Sequence, residues 1–88
     1  MAVNILNASC ESASGNVTDG TTRVMSCYFQ RVDGTQYAVA TINNNDPGQW
    51  NATDFAPKPT PATYKMFAMG NTDLPQQPSA EADGIVCA

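Results

Sequence analysis

The residues able to do chemistry in this chain are few, and most already have a simpler occupation. There is no histidine among the 88 residues, so neither a Cys–His nor a Ser–His–Asp nucleophile arrangement can form. A carboxylate pair for acid–base work is conceivable among Asp19, Asp33, Asp46, Asp54, Asp73, Glu81 and Asp83. Asp19, Asp33 and Asp83 each precede a glycine, and Asp46 opens Asp-Pro-Gly. Those are turn contexts, which explain the acids without catalysis. The chain is therefore expected not to be an enzyme, and no catalytic, cofactor or metal residues are assigned. Asn43 to Asp46 offers oxygens to a cation but lacks the alternating acids and later glutamate of a calcium loop. A solvated turn is the reading there.

Cys10, Cys27 and Cys87 form no C-x-x-C pair, and zinc-like spacing is absent. Three free thiols in a reducing compartment is the expectation; a single bridge, with Cys87 tethering the C-terminus, is the alternative. Asn7, Asn16 and Asn51 each begin an Asn-x-Ser/Thr triplet; chance alone gives about one or two in so Asn- and Thr-rich a chain, and without a signal peptide they are not read as glycan sites. Among the aromatics, Tyr28, Tyr37 and Trp50 are the candidates for a platform that meets a sugar or a partner protein.

What positions these residues is a β pattern. From Thr22 to Ile42 two β-rich runs flank Asp33-Gly34, a strong hairpin signal. A two-residue turn there sets Phe29 opposite Ala38, Cys27 opposite Ala40 and Met25 opposite Ile42. These six form one apolar face. Ser26, Tyr28, Gln30, Tyr37, Val39 and Thr41 form the mixed one, and a one-residue slip would exchange the two faces.

Around this hairpin, Val3 to Leu6 reads as an edge strand, and Asp19-Gly20 as the turn of a possible first hairpin. Pro47-Gly48 suits the centre of a type II turn. Prolines at 57, 59 and 61 make residues 54–63 an extended arm. Tyr64 to Met69 is a short strand, Gly70 to Gly84 a loop, and residues 84–88 an apolar tag able to add to a sheet edge. No stretch has helical periodicity. The expected fold is all-β: one domain over residues 1–88, a small antiparallel sheet or sandwich/barrel-like domain built around the 22–42 hairpin, with a loop-rich C-terminal half.

Composition limits the partners. Net charge is −4, with only Arg23, Arg31, Lys58 and Lys65 basic, which argues against nucleic acid. No apolar run approaches a membrane span. Met1 is followed by neither a basic region nor a long apolar stretch, which points to synthesis in a host cytoplasm. Of the 42% hydrophobic residues, 12 are alanine, which suggests a thin core of the kind stabilised by disulfides, metal or oligomerisation.

The Asn-, Thr-, Ala- and Gly-rich, Lys-poor composition, laid out with extended arms, resembles the small auxiliary proteins of bacteriophage particles, capsid decoration or cement proteins. That resemblance implies a non-catalytic virion protein bound to a coat-protein lattice, itself a dimer or trimer. Tyr28, Tyr37, Trp50, Phe55, Tyr64, Phe67, Ile85 and Val86 are then the candidates for partner contact. An extracellular carbohydrate- or receptor-binding β module is the alternative.

Overall fold

The computed structural model describes residues 3–18, 21–31, 33–44, 48–71, 73, 78 and 80–88. The strands are β1 (Asn7–Ala8), β2 (Ser12–Asn16), β3 (Val24–Gln30), β4 (Gln36–Asn44), β5 (Gln49–Ala56), β6 (Ala62–Gly70) and β7 (Ala80–Cys87). All pair antiparallel in one sheet of order β1-β2-β5-β4-β3-β6-β7, nearly closed into a barrel. The fold is all-β, as the alternation of apolar and polar residues requires.

The chain's alanines find their use inside this barrel. Ala13, Ala38, Ala52 and Ala68 are buried in the wall, while Trp50, Phe29, Tyr64 and Met66 fill the space between. A small barrel accommodates large inward side chains only if others are small. The alanines thus make room for the large side chains.

Closure also requires bends, which irregular positions supply. The inward–outward alternation of β5 slips at Asp54, and that of β7 slips at Gly84. Both residues have positive φ, 59° and 72°. An extra residue at such a bulge curves the strand and re-aims the side chains beyond it, turning Phe55 and Ile85 inward, where each is buried. A third irregularity lies between Val24 and Ser26. It explains why Met25, expected inside, is instead 67% exposed while Val24 takes the inward place.

The central hairpin follows its expected register in the body and departs from it at the turn. Tyr28 pairs with Val39, as Phe29 opposite Ala38 demands, and then the register shifts so that Gln30 pairs with Gln36. The loop is closed by Arg31 N–H to Thr35 O, 2.9 Å, with Gly34 at φ 90°. It holds three residues rather than two, the arrangement in which glycine takes the left-handed position of a bulge. Asp33 accepts from the Thr35 amide and hydroxyl at 3.0 and 2.7 Å. These bonds hold its carboxyl below the usual range.

Other expectations shift at their boundaries. Residues 54–56 belong to β5 and 62–63 to β6, so only 57–61 form the arm. Because β4 and β3 lie between β5 and β6, the arm crosses one end of the barrel. Lys58 O accepts from the Tyr37 hydroxyl (3.4 Å), and Thr60 O from the Tyr64 hydroxyl (2.9 Å). Within the 84–88 tag, Ile85, Val86 and Cys87 are the end of β7, paired with β6 in the chain's own sheet.

At the other margin, Val3 bridges to Val17, and Asn4 and Leu6 donate to Asn16 O and Ser14 O. This segment lies along β2, making the first hairpin β1–β2. The turn at Asp19-Gly20 and residues 45–47 of the 43–48 turn lie outside the described residues, although Gly48 has the positive φ of 93° that a type II turn needs.

The two edge strands, β1 and β7, are joined covalently. Cys10, just after β1, is bonded to Cys87 at the end of β7, with their Cα atoms 5.3 Å apart. This corrects the expectation of three free thiols. Only Cys27 is free, wholly buried on the inner face.

Burial pushes the Cys27 thiol up to about 12. The unfolded chain ionises this thiol from its ordinary 9.0, so the stability tied to it is present below that pH and is lost as pH rises towards 12. A denaturation series in alkaline buffers should show this decline, and Cys27→Ala should flatten it. In the folded protein at neutral pH, iodoacetamide should leave Cys27 unmodified; rapid labelling would contradict its burial.

Candidate functional site

Three surfaces collect the residues of interest. The first is the outer face of β3, β4 and β6. Tyr28 pairs with Phe67 on one side and Val39 on the other, and the Tyr28 and Phe67 rings stack at 5.6 Å. Ser26 pairs with Met69 in the next rung but one, and Met25 projects beside them. Packing among these outer groups leaves Tyr28 only 9% exposed, with Val39 at 36%. Burial also raises the phenol pKa of Tyr28, so its hydroxyl stays neutral. At the margin, Lys65 lies 3.6 Å from Glu81 and 3.8 Å from Asp83, all well exposed. Such pairs contribute little to stability but give the apolar face a charged border.

The second is the barrel end beneath the arm. The Arg31 guanidinium lies 4.0 Å over the Tyr37 ring. Tyr37 stacks on Tyr64 (5.8 Å), Tyr64 on Phe29 (5.3 Å), and Phe29 on Phe55 (4.2 Å). The column runs from the surface into the core. With Arg31 on one face and Tyr64 on the other, Tyr37 has no open ring face for a ligand.

The third is the outer wall of β1, β2 and β5. Their registers set Asn7 opposite Ser14, Ser14 opposite Asn51, Asn16 opposite Gln49, and Ser12 opposite Thr53. The wall is a field of neutral amides and hydroxyls, and all three Asn-x-Ser/Thr asparagines fall on it. It contains a hollow of about 250 Å³ between Leu6, Ser14, Asn16, Gln49 and Asn51, with Gly15 and Trp50 beneath.

Compared with protein families, with curated proteins and with solved structures, the chain matches none of them. The assignment of function therefore rests on these surfaces alone.

Of the expected contact residues, Trp50, Phe55, Tyr64 and Ile85 are core residues, each no more than 7% exposed. Tyr28, Phe67 and Val86 are on the outside, Val86 at 69%. The fold brings Tyr28 and Phe67 together and leaves Val86 apart on β7. Sequence reasoning missed Met25, which a bulge turns outward. It also missed the polar wall, whose signal was present in the alternation of 12, 14 and 16 and of 49, 51 and 53.

Five of the described carboxylates serve the fold or share a partner. Asp33 caps the hairpin loop, and Asp73 accepts the Gly70 amide at 2.6 Å. Asp54 accepts from Thr53, and Glu81 and Asp83 share Lys65. Among the described residues no three His, Cys, Asp or Glu side chains gather as a metal site would need.

Proposed function

We propose that this chain is a non-catalytic structural protein that attaches to other protein subunits, as a small virion accessory of the bacteriophage decoration or cement type does. The observation that supports it is the outer face of β3, β4 and β6. There Tyr28, Phe67, Val39, Met25 and Met69 form a mostly uncharged centre with a charged border at Lys65, Glu81 and Asp83. Aromatic and methionine side chains inside a polar rim are the composition of protein interfaces.

The mechanism is linkage. A protein that buries this face only on assembled subunits stabilises the assembled state without doing chemistry. The Cys10–Cys87 bridge suits a particle surface, since disulfides persist outside the reducing cytosol.

The test is sedimentation of virus-sized particles from the chain's own source, probed for this chain. It should travel with the particles, and Phe67→Glu should move it to the supernatant while leaving its circular dichroism unchanged. A chain found wholly in the supernatant would sink the proposal. The disulfide equally favours an extracellular binding module, the second reading, although Trp50 is not its surface aromatic.

A further inference from the structure

We propose that the hollow on the β1–β2–β5 wall is a binding site for a single ring of a neutral sugar. The inference deepens the extracellular-binding reading for its ligand class and is independent of the apolar face, which lies in the other half of the sheet.

Charge is the first argument. None of the residues around the hollow is ionisable, although one residue in seven of the chain is charged (14%). An anion or cation would find no counter-charge there. A neutral polyol, whose hydroxyls both donate and accept, matches side-chain amides, which do the same.

Unspent hydrogen bonding is the second. Asn16, Gln49 and Asn51 carry three amide groups around the rim, and none bonds to another described group of the protein. Asn51 is half-buried even so. By contrast, the nearby Asn7 amide donates to Ser14 Oγ at 3.3 Å, and the Asn43 amide to Thr53 Oγ1. Ser14 and Trp50, which also line the hollow, are engaged in this way, and the three amides of Asn16, Gln49 and Asn51 are left to meet a ligand.

Preorganisation is the third. The Trp50 indole N–H donates to Asn4 O at 3.0 Å across Gly15. A Cβ on Gly15 would lie 1.8 Å from that oxygen, so glycine is what allows the floor to form. Paired strands then fix the backbone spacing of the rim residues, Asn16 opposite Gln49 and Ser14 opposite Asn51. A ligand meeting residues whose backbone is already in place orders only their side chains on binding.

Size and shape complete the match. The volume of about 250 Å³ falls just below the roughly 300–1,000 Å³ of pockets for drug-sized ligands, room for one ring. Leu6, 62% exposed at the rim, offers an apolar contact to the C–H face of a pyranose.

The experiment is a titration of the isotope-labelled chain, followed by NMR, with glucose, galactose, mannose and N-acetylglucosamine; N-acetylneuraminic acid is the anionic control. At least one neutral sugar should shift the side-chain amides of Asn16, Gln49 and Asn51 and the indole N–H of Trp50, the chain's one tryptophan, saturating in the millimolar range. Gln49→Ala and Asn16→Ala, both exposed positions whose spectra report their own folding, should each weaken that binding about tenfold. Shifts confined to another surface would overturn this site while sparing the binding-module reading. Unchanged affinity in both variants, or preference for the anionic control, would also overturn the site. No shift with any sugar would overturn the site and the carbohydrate form of that reading together.

Discussion

Breaking the Cys10–Cys87 bridge, by reduction or by Cys10→Ser, should remove about 4–5 kcal/mol of stability, the chain-entropy estimate for so long a loop. The two cysteines are 77 residues apart, so the closed loop contains nearly the whole chain. Folded domains of this size have about 5–15 kcal/mol to lose, which puts the reduced protein close to unfolding. The effect should be concentrated where β1 and β7 meet. β1 is only two residues long and β7 pairs only with β6, and no strand pairing joins the two among the described residues. The sheet's two margins are thus held by a covalent link where a closed barrel would have a ladder. Guanidinium unfolding with and without reductant measures the loss. An unchanged midpoint would mean that packing alone closes the barrel.

Trp50→Ala should be nearly as damaging, costing about 3–5 kcal/mol. Trp50 is 2% exposed and is among the largest fully buried side chains. Its neighbours cannot collapse into the space it leaves, because Gly15 and Ala52 opposite and beside it have almost no side chain to move. The substitution also leaves Asn4 O without the indole N–H it accepts at 3.0 Å. Trp50→Phe separates the two effects: most of the volume returns but the hydrogen bond does not, so about 1–3 kcal/mol should remain lost. Thermal and chemical denaturation of both variants supply the comparison. A Trp50→Ala protein as stable as the parent would place the indole outside the core.

These two expectations mark the difference between what local pattern reveals and what it conceals. The hairpin body was legible because strand alternation has a period of two and a register sorts every residue at once. Phe29 and Cys27 with Ala38 and Ala40 point inward as read, and Tyr28 and Val39 point outward. Met25 was not legible, because a bulge between Val24 and Ser26 carries no marker as plain as Asp-Gly. Asp54 is harder still: a non-glycine residue at φ 59° reverses the phase of β5 and turns Phe55 into the core. The prolines at 57, 59 and 61 fall between β5 and β6, but residues 54–56 and 62–63, read as part of the same arm, belong to those strands, since residues flanking a proline segment are free to pair.

The candidate sites divide in the same way. Tyr28 and Phe67 are each named from sequence, yet nothing in the chain between them says that they stack. That comes from β3 lying beside β6, a pairing of strands with two others between them in sequence. The polar hollow depends likewise on β2 lying beside β5 and on a tryptophan filling the space above a glycine.

By itself, the sequence determined the all-β class, the facing of the central hairpin, and the exclusion of histidine-based chemistry, because each depends on residue type or on neighbours one or two positions apart. Only the tertiary structure decided that Cys10 meets Cys87, that the alanines enclose Trp50 and Phe29, and that neutral amides share one wall while aromatics and methionines share another. Those outcomes depend on which distant strands become neighbours, and that is settled by how large and small side chains fit together when the sheet bends towards closure.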